Sequence, residues 1–222
     1  QPREAVPCVA SPAGEQFPPM TNSLSLPACI RRVCGDVARI ALAALLCVLM
    51  AACTPESRNR LPDKDRITPD SRLIGQWHGV IDGADYLIDI TQADPLTVYV
   101  ALTETLPVGD KPVTKIGYAA NMYAIGSRTI IAFHEIEPKP AYWRFAVLLF
   151  SGDDRASLVF MDEKFVRNEV FRSALAGIIR TDDPTFPDVL LTASSDDLAT
   201  FIRGNDEAKV FDIPFGPFER RL

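Results

Sequence analysis

From residue 73 to residue 161 the sequence alternates apolar and polar side chains with a period of two, and tight-turn residues cut the alternation into short runs. No other feature restricts the fold so strongly, because a period of two places every second side chain on one face of a strand. Leu73 to Ile81 runs into Asp82-Gly83, residues that accept positive φ and predict a two-residue hairpin. Tyr86, Ile88 and Ile90 then share one face, with Asp89 and Thr91 on the other. After Asp94-Pro95, the run 96–102 puts Val98, Val100 and Leu102 on one side. Gly126-Ser127 separates strands expected at about 115–125 and 128–136 in the manner of a type II′ turn, and Ser151 to Arg155 separates 142–150 from 156–161. Seven short strands in succession predict an antiparallel meander.

Two helices interrupt the pattern late in the chain. Asp162 is placed to cap a helix running to about Ala176, with Phe165, Val166, Val170 and Leu175 near one face. Ser194 and Ser195, with Asp196-Asp197 behind them, mark the start of a second helix carrying Leu198, Phe201 and Ile202, and acidic groups in that first turn suit the helix dipole. Lys209 to Phe218 reads as an extended, proline-containing segment placed to close a sheet as an edge strand. The expected class is therefore mainly β with minor α. A sheet of this many strands with one apolar face curls into a barrel, which removes its edges, or splits into a β-sandwich as the alternative.

The first strand reads Gly75-Gln76-Trp77-His78-Gly79. A Gly-x-Trp entering the first strand of an antiparallel meander resembles the lipocalin and fatty-acid-binding superfamily. That resemblance implies an up-and-down barrel over residues 73–222, with Trp77 plugging one end as a structural residue. It also implies a basic side chain near the end of the last strand, Arg220 or Arg221, packed over the indole ring by a cation–π contact of about 0.5–2 kcal/mol.

Residues ahead of that domain carry a different message. All five cysteines, Cys8, Cys29, Cys34, Cys47 and Cys53, lie in the first quarter of the chain, so the later part holds no thiol nucleophile, internal disulfide or cysteine-based zinc site. Arg31, Arg32 and Arg39 precede an uncharged apolar run of 13 residues from Ile40 to Ala52. That run suits the core of an export signal and falls short of a transmembrane helix. It ends in Leu49-Met50-Ala51-Ala52-Cys53, which resembles the bacterial lipobox. The resemblance implies cleavage before Cys53, lipid attachment to its sulfur and anchoring in the cell envelope. With Thr54 rather than Asp next to it, the resemblance favours the outer membrane on its periplasmic side. Residues 1–19, proline-rich and ahead of Met20, read as an unstructured leader or mis-assigned start, and 20–52 as the signal peptide. The segment 53–72, rich in Pro, Asp, Arg and Ser, reads as a flexible tether.

Four of the 23 basic and three of the 29 acidic residues precede Cys53, which leaves 19 against 26 and a formal charge of −7 on the processed chain. That balance argues against a nucleic-acid surface, which needs clustered Lys and Arg. Only His78 and His134 supply imidazoles. His134 and Glu135 are neighbours on a strand and point to opposite faces, so neither metal binding nor acid–base work is expected of them. No Gly-x-Ser-x-Gly elbow or glycine-rich phosphate loop occurs. The pairs Asp153-Asp154, Asp182-Asp183 and Asp196-Asp197 fall in predicted turns or at a helix start. The expectation is a non-catalytic, membrane-anchored lipoprotein without cofactor or metal, whose barrel binds a small apolar ligand or lipid. A protein-interaction or assembly module of the envelope is the alternative.

Overall fold

The computed structural model describes residues 54–105, 112–137, 142–180 and 188–221. The segments expected to be a leader (1–19) and a signal peptide (20–52), together with Cys53, lie outside the described residues. Twelve strands and three α-helices are defined among them. β1 is Glu56–Ser57 and β2 Arg66–Ile67, followed by β3 Gly75–Ile81, β4 Ala84–Asp94, β5 Thr97–Thr105, β6 Pro112–Ile125, β7 Arg128–Glu135, β8 Arg144–Phe150 and β9 Arg155–Met161. Helix α1 is Glu163–Phe171, β10 Gly177–Arg180, β11 Asp188–Leu191, α2 Ser195–Gly204, α3 Glu207–Val210 and β12 Phe211–Arg221.

Strands β3 to β9 pair in chain order, β12 pairs with both β9 and β3, and β6 pairs with β7, so eight antiparallel strands close into an up-and-down barrel of lipocalin-like architecture. A sandwich is excluded by that closure. The turns follow their sequence chemistry. Asp82 and Gly83 both adopt positive φ, 51° and 83°, while at 126–127 only Gly126 does, at 65°. β12 is no edge strand: it is hydrogen-bonded on both sides. Its prolines are tolerated because Pro217 lies within a register shift against β9, and pairing with β3 begins only at Glu219.

Two apolar cores share the barrel wall. The interior core contains Trp77, Ile88, Ile90, Val98, Met122, Ile131 and Phe218. The exterior core packs α1, α2 and β11 against the outer faces of β6, β7 and β8 through Tyr123, Ile130, Ala132, Phe145 and Val147. The unbroken runs Ile130-Ile131-Ala132-Phe133 and Phe145-Ala146-Val147-Leu148 alternate between these two cores, as strands covered on both faces must.

Three expectations change. The segment 54–72 is no tether. Thr54 and Ser57 are buried, Leu61 is fully buried in the exterior core, β1 runs parallel to β11, and β2 extends the ladder of β6. Its polar composition is reconciled with burial by specific bonds: Ser57 exchanges two 2.8 Å backbone hydrogen bonds with Trp143, and Asn59 donates to the Ala193 carbonyl at 2.8 Å. Helix α1 stops at Phe171, short of Ala176, because Ser173 turns left-handed at φ 61°. The Ser173 and Ala174 amides then bond back to the carbonyls of Val170 and Glu169, a Schellman ending. Between the helices lies a small sheet, β1-β11-β10, whose strands of two to four residues are too short to show a period in sequence.

Candidate functional site

The barrel has two chemically different ends. At the first, Trp77 is 1% exposed and donates its indole N–H to the Leu73 carbonyl at 2.9 Å. Leu73 closes a 3-10 turn over 71–73 that Asp70 caps by accepting from the Arg72 amide. Arg220 stands 6.0 Å over the indole and donates to the Ile74 carbonyl at 2.7 Å, so of the two arginines singled out in sequence it is Arg220 that covers the ring. Arg72 lies 4.3 Å over Phe150, and its guanidinium is held against Asp70, whose carboxyl it keeps below the ordinary carboxylate range. Further along β3, opposite Tyr86, Gly79 is required on steric grounds: a Cβ would stand 2.7 Å from the Phe218 ring and 2.9 Å from the Pro217 carbonyl.

At the other end the inward positions turn aromatic. By register Tyr86, Leu102, Tyr118, Phe133, Phe160 and Phe215 all face inward, and each is half-buried. Their rings form a continuous path. Tyr118 meets Phe133 at 5.6 Å, Phe133 meets Phe160 at 5.9 Å, Phe160 meets Phe215 at 5.5 Å and Phe215 meets Tyr86 at 5.4 Å. Edge-to-face and tilted contacts of this kind suit the ring quadrupole.

Polar groups enter the same end in fixed pairs. Tyr86 donates its hydroxyl to Glu104 at 3.0 Å, and Glu104 is buried. Burial pushes the Tyr118 hydroxyl up to about 12, and the Glu135 carboxylate pushes it the same way. Arg144 bridges Glu135 at 3.0 Å and Glu56 at 2.8 Å, and Glu56 takes Arg180 at 2.8 Å through its second oxygen. This chain of four charges joins the N-terminal strand β1 to the barrel rim and to β10.

The other residues considered in sequence do not converge. His78 sits on the outer face of β3, 3.0 Å from Asp85. The ring of His134 packs edge-on to Trp143 at 4.5 Å, while Glu135 is held by Arg144, so the two diverge as the strand geometry requires. Among the described residues no three His, Cys, Asp or Glu side chains form a group suited to a metal ion. Ser194 caps α2 by accepting from the Asp197 amide, and Ser195 with Asp196 and Asp197 makes up its first turn. Asp153-Asp154 lies in the exposed β8–β9 loop, and Asp182-Asp183 lies outside the described residues. Cys53 also lies outside them, one peptide bond from buried Thr54.

Sequence reasoning missed Glu104, Tyr118 and Glu135 as inward-facing groups. The signal was present: extending the face of Val98, Val100 and Leu102 by one further step of two reaches Glu104. Compared with known proteins, the chain matches no family model, no curated protein sequence and no solved structure.

Proposed function

We propose that the protein is a non-catalytic lipoprotein of the cell envelope, anchored through Cys53 in the outer membrane with its domain in the periplasm, and that the barrel holds a small apolar ligand or lipid. The observation that carries this reading is the half-buried aromatic path at the Tyr86 end, set against a first end covered by Trp77, Arg72 and Arg220. Apolar walls with a few placed polar groups are what a small-molecule site requires, and here Tyr86–Glu104 and Tyr118 would orient a ligand's polar head. The lipobox pattern and the lack of any cysteine after Cys53 support the anchor.

Native mass spectrometry of the processed, detergent-extracted protein tests both parts. The expected spectrum carries an acylated N-terminal cysteine together with a co-purified apolar molecule, which a bulky polar replacement such as Phe160→Arg releases. An unmodified thiol at Cys53 refutes the anchor, and spectra without cargo under gentle conditions refute the binding role.

The second reading, an assembly module, draws on the rings touching one another across the interior and on Phe171 at the end of α1, which is 81% exposed. Loss of an envelope cross-link on Phe171→Ser, with cargo-free spectra throughout, favours that reading.

A further inference from the structure

We infer that the bilayer surface carrying the anchor lies against the Tyr86 end of the barrel, so that the aromatic path faces the leaflet and the Trp77 end points away from it. This rests on acylation of Cys53. The geometry begins at the first residues after that cysteine. Thr54 is buried, Glu56 is clamped by Arg144 and Arg180, and Ser57 is bonded twice to Trp143. Trp143 and Arg144 open β8 at the Tyr86 end, where β7 finishes at Glu135. Three residue steps separate Cys53 from Glu56, a reach of about 11 Å at full extension. An unstructured tether of the 18 residues 54–71 would instead have an average span of roughly 23 Å. The polar layer of a bilayer is about 5–7 Å deep on each side. The anchored sulfur therefore holds the rim close to the membrane surface, whereas strands of 7 to 11 residues carry the opposite end about 20 Å further out.

Exposed large apolar side chains do not by themselves distinguish the ends: Val80 belongs to the end of β3, Ile136 follows β7 directly and Ile178 shares a sheet face with Glu56 through the register Ile178–Leu190–Glu56, while Tyr99 near the start of β5 and Leu149 near the end of β8 lie toward the Trp77 end. Asp82, Asp85 and Glu137 stand at the Tyr86 end, so the contact is imposed by the short covalent leash and is not drawn in by anionic lipid.

The full chain, processed and acylated in a Gram-negative host, is reconstituted into phosphatidylcholine vesicles carrying a headgroup-level nitroxide quencher. Fluorophores are placed on single cysteines at the Tyr86 end (Val80→Cys, Ile178→Cys) and at the Trp77 end (Ser127→Cys, Asp153→Cys). Labelling is clean because processing removes the four earlier cysteines and acylation blocks Cys53. Quenching at Val80 and Ile178 is expected to exceed that at Ser127 and Asp153 by roughly threefold or more, given the separation of the ends. Inserting a 20-residue Gly/Ser linker between Cys53 and Thr54 is expected to abolish the difference. Equal or reversed quenching in an acylated protein overturns the orientation alone, as does a difference that survives the linker. An intact mass showing no acylation overturns the orientation and the lipoprotein reading together.

Discussion

Replacing Leu61 with Ala separates a structural N-terminal segment from a tether. Leu61 has no exposed surface and packs in the exterior core with Tyr123, Ile125 and Ile130. A fully buried leucine cut back to alanine loses its transfer energy and leaves a cavity, a combined cost of about 3–5 kcal/mol. For a domain of this size each kcal/mol lowers the melting temperature by about 2–4 °C, so a fall of roughly 6–20 °C is expected. The same change in a solvated tether would fall within about 0.5 kcal/mol of zero. Arg60→Ala provides the internal control, since Arg60 and Asp63 form an exposed pair 40% and 64% accessible, and such pairs contribute little.

Urea unfolding of the protein, followed by tryptophan emission, reads the difference. Trp143 sits beside β1 and Trp77 inside the barrel, so Trp143→Phe and Trp77→Phe backgrounds report the two regions separately. A Leu61→Ala midpoint indistinguishable from that of Arg60→Ala would refute the packing argument.

Arg220→Met should cost about 1–2 kcal/mol, seen as a lower thermal midpoint with a red-shifted Trp77 emission, because both the cation over the indole and the donor to Ile74 are lost. Arg128→Met should cost about 2–3 kcal/mol, since this arginine donates to the carbonyls of Ile202 and Asn205 at the end of α2 and pairs with Glu207. Tyr123→Phe should raise stability by about 1 kcal/mol in the same denaturation assay, because the buried Tyr123 hydroxyl has no hydrogen-bond partner among the described residues. Tyr118 ionises at about 10 in the unfolded chain and at about 12 in the barrel. Its contribution is complete below pH 10 and is lost as pH rises through 12, by at most about 1.4 kcal/mol per pH unit, so Tyr118→Phe should flatten the alkaline limb of the stability profile.

The strand pairing and hairpins were legible because they are local. Asp82-Gly83 and Gly126-Ser127 carry their turn geometry in their own φ preferences, and Tyr86, Ile88 and Ile90 declare a face by period alone. Helix starts at Asp162 and Ser194 were equally local, each a side chain capping an amide three residues on. Glu56 could not be read in this way. Among Pro, Asp and Arg it looks like solvent-exposed chain, and its half-buried place is decided by Arg144 and Arg180, 88 and 124 residues away. For β12 the extended, proline-containing run and its closing role were legible, whereas its pairing on both sides, with β9 and β3, rests on strands that meet only in the closed barrel.

Sequence alone thus determined the β meander, its turns and its capped helices, all set by neighbours within a few residues. Only the tertiary structure decided that the segment after Cys53 is part of the wall, that Arg220 rather than Arg221 covers Trp77, and that the aromatic path gathers at the other end. Those outcomes come from long-range burial and ion pairing, whose free energy exists only once distant strands are brought together.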